Sequence, residues 1–130
     1  RRYVDKTLLL KTMFEETEHI LITVPDGFGK TTNVDMIKRF LEISVNTEGK
    51  IFNKIESINY NLFKKNRLKI CDHERFFNDH FGKYPVIFID YSPLNRIKDF
   101  EDMLKALRII IRGTYSHHEY LLREKNMFSK

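Results

Sequence analysis

The sequence predicts an α/β fold in which parallel strands are flanked by helices. Two short runs are largely apolar and rich in β-branched residues, at residues 20–24 and 84–91. A strand that is apolar on both faces belongs inside a parallel sheet covered by helices. Around these runs, apolar residues recur at helical spacing. Because two strands are too few to complete such a sheet, we expect an incomplete sheet, with the rest supplied by the remainder of a parent chain.

Length and composition describe a folded chain of one domain's size. The chain has 130 residues, of which 42% are hydrophobic and 32% are charged. These values are ordinary for a globular protein that buries a core, so we expect a single domain over residues 1–130. No apolar run approaches the roughly 20 residues needed to cross a bilayer, and we predict no membrane partner. The chain starts at Arg1 rather than at Met, and we therefore expect a fragment of a longer protein.

Cysteine content and charge indicate a compartment and a class of partner. Cys71 is the single cysteine, which rules out an internal disulfide and fits a reducing compartment. No secretory signal is visible, so we expect an intracellular protein, cytoplasmic in the first place with a nuclear location left open. The net charge of +5 favours polyanionic partners such as a nucleotide or a nucleic acid, although many basic domains use such a charge only for solubility.

The first half of the chain reads as helix, strand, loop and helix. The first predicted helix spans residues 3–16, with Asp5 as its N-cap and an apolar stripe at helical spacing. The strand at 20–24 ends at Pro25, which has no N–H to donate to a sheet. A second amphipathic helix runs from Lys30 to about Ser44, with charged residues opposite its apolar stripe.

The second half reads as surface helices, a strand and a long helix. Residues 50–69 carry basic residues interleaved with aromatic ones, and they predict one or two helices on the surface. Residues 72–81 predict a further short helix that is closed by Gly82. After the second strand, Asp99 is the predicted cap of a long final helix that continues or resumes beyond Gly113.

The main candidate site is the loop between the first strand and the second helix. Gly29-Lys30-Thr31, with Gly27 before it, approximates the pattern G-x-x-x-x-G-K-[ST], although Val24 stands at the first glycine position. Unpaired N–H groups and the helix dipole favour an anion at a helix start. Lys30 would neutralise the outer phosphates, and the Thr31 hydroxyl would bind Mg²⁺. The predicted phosphate-binding residues are Pro25, Asp26, Gly27, Phe28, Gly29, Lys30, Thr31 and Thr32.

Two further groups of residues are candidates, each with a structural alternative. Asp90 ends the second strand, where P-loop enzymes carry a metal-binding acid, so Asp90 is a candidate second Mg²⁺ ligand. Since carboxyl ends of parallel strands gather at a ligand crevice, Asp90 could instead lie next to the ligands of the metal without binding it. The alternative is an acid that only terminates a strand. Lys64, Lys65 and Arg67 are candidates for contact with a nucleic-acid backbone, and the alternative is a solvated basic face.

Three motifs occur in a fixed order along the chain, together with the long final helix. They are Tyr3-Val4-Asp5-Lys6-Thr7, Phe28-Gly29-Lys30-Thr31 with Pro25 ahead of it, and Gly82-Lys83-Tyr84-Pro85-Val86-Ile87. In this combination the chain resembles the N-terminal part of the predicted AAA-ATPase-like family of P-loop proteins. The family usually carries basic residues where Asp26 and Gly27 stand.

The resemblance implies a P-loop NTPase-like fold that binds ATP and Mg²⁺. It also implies that the acidic catalytic strand and, in many members, a nuclease-like domain of the PD-(D/E)XK type lie beyond this chain. We therefore expect a nucleotide-binding module with little turnover, and we assign no catalytic residue. The alternative is a nucleic-acid or protein interaction module in which the loop at residues 25–32 is degenerate.

Overall fold

Helices dominate the structure of this chain. The computed structural model describes residues 4–16 and 19–123, of which 58% are helical. Short 3₁₀ helices occupy Lys54–Glu56, Lys69–Asp72 and Ser92–Arg96. In the described ranges, none of the helices combines the length and the apolar character that a membrane crossing requires. The α-helices of these ranges are α1 (Leu9–Glu15), α2 (Lys30–Leu41), α3 (Ile58–Lys65), α4 (Glu74–His80), α5 (Phe100–His117) and α6 (Tyr120–Arg123).

The described residues divide into two compact units. The first unit takes those within Arg1–Ser44 and Ile51–Val86, and it contains α1 to α4. The second unit takes those within Val45–Lys50 and Ile87–Lys130, and it contains α5 and α6. Two compact units can belong to one domain, so the single domain over residues 1–130 stays a prediction.

Four phenylalanine rings form the centre of the core in the first unit. Phe40 of α2 is fully buried, and its ring centroid lies 5.4 Å from those of Phe63 in α3 and Phe77 in α4. The Phe81 ring lies 5.3 Å away, and all three partners meet Phe40 edge to face, the arrangement that ring quadrupoles favour. Helix therefore packs on helix here, which fixes α2 within the unit. Around the rings lie the buried residues Leu10, Met36, Leu68 and Ile70.

The predicted α/β fold with parallel strands is wrong. The described residues contain no β-strand and no sheet, and an isolated parallel bridge joins Glu42 to Tyr84. In the first expected strand Leu21 is 89% exposed, and in the second Ile87 is 64% exposed. Neither run is buried on both faces as a strand inside a parallel sheet would be. The P-loop fold built on those strands is therefore not the architecture of residues 4–16 and 19–123.

The strand prediction fails for a physical reason. An apolar, β-branched run becomes a strand only where neighbouring strands pair with its backbone, and its side-chain pattern carries no information about such partners. At the start of the second run, the backbone bonds to the end of α2 instead. The N–H of Tyr84 donates to the carbonyl of Leu41 at 2.9 Å, and the N–H of Gly82 donates to that of Phe40 at 2.9 Å.

The hydrogen bonds from Gly82 and Tyr84 hold α2 at its C-terminal end. The predicted helix from Lys30 begins where expected and ends at Leu41, three residues before Ser44. The carbonyls of the last turn of a helix lack partners inside the helix, and the chain after α4 supplies two of the missing donors. The core and these hydrogen bonds anchor α2, and its N-terminal end carries the loop that the sequence singled out.

The second unit is organised by the long helix α5. The Asp99 carboxylate accepts a hydrogen bond from the N–H of Glu101 at 2.7 Å, which confirms the predicted cap. The helix continues through Gly113 to His117, and the Thr114 hydroxyl donates to the carbonyl of Ile110 at 2.9 Å. The prediction that helix continues beyond Gly113 is therefore confirmed.

Candidate phosphate-binding loop

The eight predicted phosphate-binding residues form one continuous loop and helix start. Pro25 to Phe28 are exposed, Gly29 is half-buried, and Lys30, Thr31 and Thr32 are exposed in the first turn of α2. The predicted pattern therefore lies at the surface of the first unit, where a ligand in solution can reach it. The expected helix after the loop is confirmed, whereas residues 20–24 before it are irregular rather than a strand.

The two glycines of the loop are required by its backbone conformation. Gly27 has φ 82° and Gly29 has φ 79°, values that side-chain-bearing residues rarely adopt. Phe28 between them has a negative φ, so the sign of φ alternates along the loop. Alternation of this kind occurs in loops whose backbone N–H groups form a concave site for anions, and here the N–H of Phe28 donates to the carbonyl of Pro25 at 3.4 Å. A Cβ added at Gly27 would meet no atom within 4 Å, so the space above this residue is open.

Helix α2 begins without a side-chain cap. Its N-cap residue is Gly29, and no acidic residue stands in its first turn. Bonding within the helix begins with the N–H of Asn33, which donates to the carbonyl of Gly29 at 2.9 Å. The N–H groups of the preceding residues, Lys30 to Thr32, therefore have no acceptor within the helix. By contrast, α3 is capped by the Ser57 hydroxyl, which accepts from the N–H of Tyr60 at 3.0 Å.

Lys30 is engaged within the loop itself. Its ammonium donates to Oδ1 of Asp26 at 2.7 Å, and both side chains are largely open to solvent. The hydrogen bond from Lys30 and the charge of its ammonium lower the pKa of Asp26. The cation predicted to meet phosphate is therefore already paired with a carboxylate four residues earlier.

A second lysine approaches the loop from the N-terminal segment. The ammonium of Lys6 donates to the carbonyl of Phe28 at 3.3 Å, across 22 positions of sequence. Sequence reasoning considered Lys6 only as part of a motif and did not assign it to the phosphate site. The contact joins residues that are remote in the chain, and no spacing rule indicates it.

The residues on either side of Lys6 are fixed by a buried hydrogen-bond network. The Thr7 hydroxyl donates to Asp5 Oδ1 at 2.6 Å and accepts from the N–H of Ile70 at 3.1 Å, and Thr7 is fully buried. Asp5 Oδ2 accepts from the N–H of Lys69 at 2.8 Å. Asp5 is therefore not the cap of the first helix, because α1 starts at Leu9. The Asp-x-Thr spacing is the sequence signal for this local turn, in which Asp5 also accepts the N–H of Thr7.

Asp90, the candidate second Mg²⁺ ligand, lies in the second unit. Its Oδ1 accepts from the N–H of Ser92 at 2.9 Å, and its Oδ2 accepts from the Ser92 hydroxyl at 2.8 Å. These two hydrogen bonds lower the pKa of Asp90, and the bond from the backbone N–H has the larger effect. Both carboxylate oxygens thus shape the turn into the 3₁₀ helix Ser92–Arg96. A role in metal binding stays a prediction.

The basic candidates for nucleic-acid contact lie at the end of α3 and in the turn after it. The ammonium of Lys64 lies 4.3 Å from the centroid of the Phe77 ring, a cation–π contact. Lys65 and Arg67 are exposed. The ring of Phe63, the residue before Lys64, is 1% exposed, so it packs in the core and offers no face to a base. Contact of Lys64, Lys65 and Arg67 with a nucleic acid stays a prediction.

The residues of the loop fit a phosphate group and one metal ligand. An exposed, uncapped helix start, an open glycine and Lys30 supply the donors that phosphate oxygens accept. The Thr31 hydroxyl is exposed in the first turn and would supply one oxygen to Mg²⁺. Mg²⁺ takes much of its coordination from water and substrate phosphates, so a single protein oxygen suits it. Within residues 4–16 and 19–123, no cluster of three or more acidic, histidine or cysteine side chains could hold a metal.

The sequence matches the AAA-ATPase-like family, described as predicted AAA-ATPase, over residues 1–128. The chain therefore belongs to this family, which confirms the resemblance found in its motifs. Neither the curated proteins nor the solved structures contain a significant match to the chain.

Proposed function

We propose that this chain binds a nucleoside triphosphate, ATP, together with Mg²⁺ through residues 25–32. The observation that carries the proposal is the start of α2, which has no side-chain cap and lies behind an exposed loop with two positive-φ glycines. Membership of a family of predicted ATPases supports a nucleotide rather than another anion. The proposal concerns the loop and its helix and does not depend on a β-sheet.

Each group of the loop has a defined role in this proposal. The N–H groups of Gly27, Gly29 and Lys30 to Thr32 donate to phosphate oxygens, while that of Phe28 donates to the carbonyl of Pro25 at 3.4 Å. The dipole of the 12-residue helix α2 adds a partial positive charge there. Lys30 leaves Asp26 and neutralises the outer phosphates. The Thr31 hydroxyl binds Mg²⁺, and the Thr32 hydroxyl donates to an inner phosphate.

We expect binding with little hydrolysis by this chain alone. ATP hydrolysis needs a group that orients or deprotonates the attacking water, in addition to the groups that hold the phosphates. The loop supplies cations, hydroxyls and N–H groups, and its one carboxylate, Asp26, is paired with Lys30. The chemistry of the loop is therefore that of binding.

The test is the affinity for Mg-ATP, measured by calorimetry on three proteins. The wild-type chain is compared with Lys30→Ala and with Lys38→Ala, a control on the same helix whose lysine pairs with Glu42 at 4.0 Å. We expect Lys30→Ala to weaken binding by about 10- to 100-fold, the range for hydrogen bonds to charged groups. Lys38→Ala should bind like the wild type.

Two outcomes would overturn the proposal. The first is an absence of saturable Mg-ATP binding by the wild-type chain, and the second is equal affinity in the Lys30→Ala and Lys38→Ala proteins. Salt-sensitive binding of an oligonucleotide that Lys30→Ala leaves intact, and that neutralisation of Lys64, Lys65 and Arg67 weakens, would favour the interaction module instead.

A further inference from the structure

We propose that Lys6 is a second phosphate-binding cation of this loop. The inference rests on the proposed function and adds to it a residue that lies outside the loop. The Lys6 ammonium is already at the loop, 3.3 Å from the Phe28 carbonyl, and its side chain is on the exposed side of the N-terminal segment. The Lys6 side chain is long and exposed, so its ammonium can leave the Phe28 carbonyl for a phosphate group held by the N–H groups of Gly27, Gly29 and Lys30 to Thr32.

The backbone at Lys6 is fixed from both sides. Asp5 accepts from the N–H of Lys69, and the buried hydroxyl of Thr7 accepts from the N–H of Ile70. The network ties the N-terminal segment to the 3₁₀ helix Lys69–Asp72 of the same unit. Only the long side chain of Lys6 is left to move, so bringing its charge to a ligand requires little ordering of the backbone. Preorganisation of this kind favours binding because less conformational entropy is lost.

The charge of Lys6 is not offset within its contact to the loop, whereas that of Lys30 is. Asp26 pairs with Lys30, so the two side chains offset each other's charge. The partner of Lys6 is the uncharged carbonyl of Phe28, and its positive charge is therefore not offset by that contact. A triphosphate carries several negative charges, and Lys6 adds a second cation to that of Lys30.

Two substitutions separate a charge role from a structural one. Lys6→Gln removes the charge but keeps an N–H group that can donate to the Phe28 carbonyl. Lys6→Arg keeps both the charge and the donor. Lys11→Gln is the matched control, because it removes a lysine charge from α1, outside the loop. The ammonium of Lys11 pairs with Glu15 at 3.5 Å.

The experiment measures the affinity for Mg-ATP and for inorganic tripolyphosphate by calorimetry, with a thermal melt to verify that each variant is folded. We expect Lys6→Gln to weaken both ligands about tenfold, which corresponds to about 1.4 kcal/mol. Lys6→Arg should stay within about threefold of the wild type, and Lys11→Gln should be indistinguishable from it.

The outcomes keep this inference apart from the proposed function. If Lys30→Ala weakens binding while Lys6→Gln and Lys11→Gln both bind like the wild type, the role of Lys6 is overturned and the loop assignment stands. Normal affinity in Lys6→Gln would mean that the contact with Phe28 only shapes the loop. If the wild-type chain binds neither ligand, the proposed function itself fails.

Discussion

The ammonium of Lys30 lies 2.7 Å from Oδ1 of Asp26, so the lysine of the candidate loop is held by a carboxylate of the same loop. The Asp26 side chain is fully exposed. A phosphate that takes Lys30 must displace this carboxylate, and it must also approach the negative charge of Asp26. The pair therefore opposes the binding that we propose.

Asp26→Asn should strengthen Mg-ATP binding. The change frees Lys30 and removes a negative charge from the path of the phosphates, and the pair is exposed, so we expect a gain of about two- to fivefold in affinity. Calorimetry at constant ionic strength measures it. Asp35→Asn is a suitable control, because it breaks a similar exposed pair with Arg39 on α2, outside the loop. A weaker affinity in Asp26→Asn would mean that the carboxylate contributes to the site.

Gly29→Ala should destabilise the first unit. Gly29 has φ 79° and ψ 31°, a left-handed conformation that costs an alanine about 1 kcal/mol or more. Gly113 provides the opposite case, because it lies inside α5 and a Cβ added there meets no atom within 4 Å. Gly113→Ala should therefore stabilise the protein by about 0.5–1 kcal/mol. Urea unfolding measures both changes, and a stabilising Gly29→Ala would contradict the loop conformation.

The Asp5 network should make stability depend on pH in the acid range. Burial raises the pKa of Asp5, but hydrogen bonds from Thr7 and from the N–H of Lys69, with the charge of Lys69, outweigh it and lower the pKa below its usual value. The stability that Asp5 contributes is therefore complete above the unfolded-state pKa of about 4 and is lost as the pH falls through the folded-state pKa.

Asp5→Asn tests this dependence. The difference in free energy of unfolding between wild type and Asp5→Asn should be largest near pH 7 and should shrink between about pH 5 and about pH 3, because the wild-type carboxylate then takes up a proton. Urea unfolding at several pH values measures the difference. A difference that stays constant over this range would show that ionisation of Asp5 does not contribute to the network.

Phe40→Ala should strongly destabilise the core of the first unit. Phe40 is fully buried and its ring meets those of Phe63, Phe77 and Phe81, so we expect a loss of about 3–5 kcal/mol. Phe100→Ala removes the same ring from a side chain that is 67% exposed, and it should change stability by about 0.5 kcal/mol or less. Thermal and urea unfolding compare the two. Similar losses in both variants would contradict the helical core described for Phe40.

The sequence was informative where structure depends on neighbours in the chain. The helix from Lys30 and the cap at Asp99 follow from periodicity and local hydrogen bonding, and both are confirmed. The positive φ values at Gly27 and Gly29 likewise agree with the residue type, because glycine adopts such values without a steric cost. Helices and caps satisfy their backbone groups within a few residues, so a local pattern is sufficient to predict them.

The sequence was misleading where structure depends on remote partners. The runs at residues 20–24 and 84–91 have the composition of buried strands, but the described structure pairs neither into a sheet. The contacts of Lys69 with Asp5 and of Ile70 with Thr7 span 64 and 63 positions, and the contact of Lys6 with Phe28 spans 22. Such contacts depend on tertiary packing, which no periodicity encodes.

The central claim is tested most directly by the backbone amide signals of the loop during a titration with Mg-ATP, measured by NMR. We predict saturable shifts at Gly27, Gly29 and Lys30 to Thr32, because their N–H groups would donate to the phosphates. The N–H of Tyr60 should stay unchanged, since the start of α3 is already capped by Ser57. If the amide signals of the loop keep their chemical shifts at saturating Mg-ATP, the account is contradicted, even if signals elsewhere change.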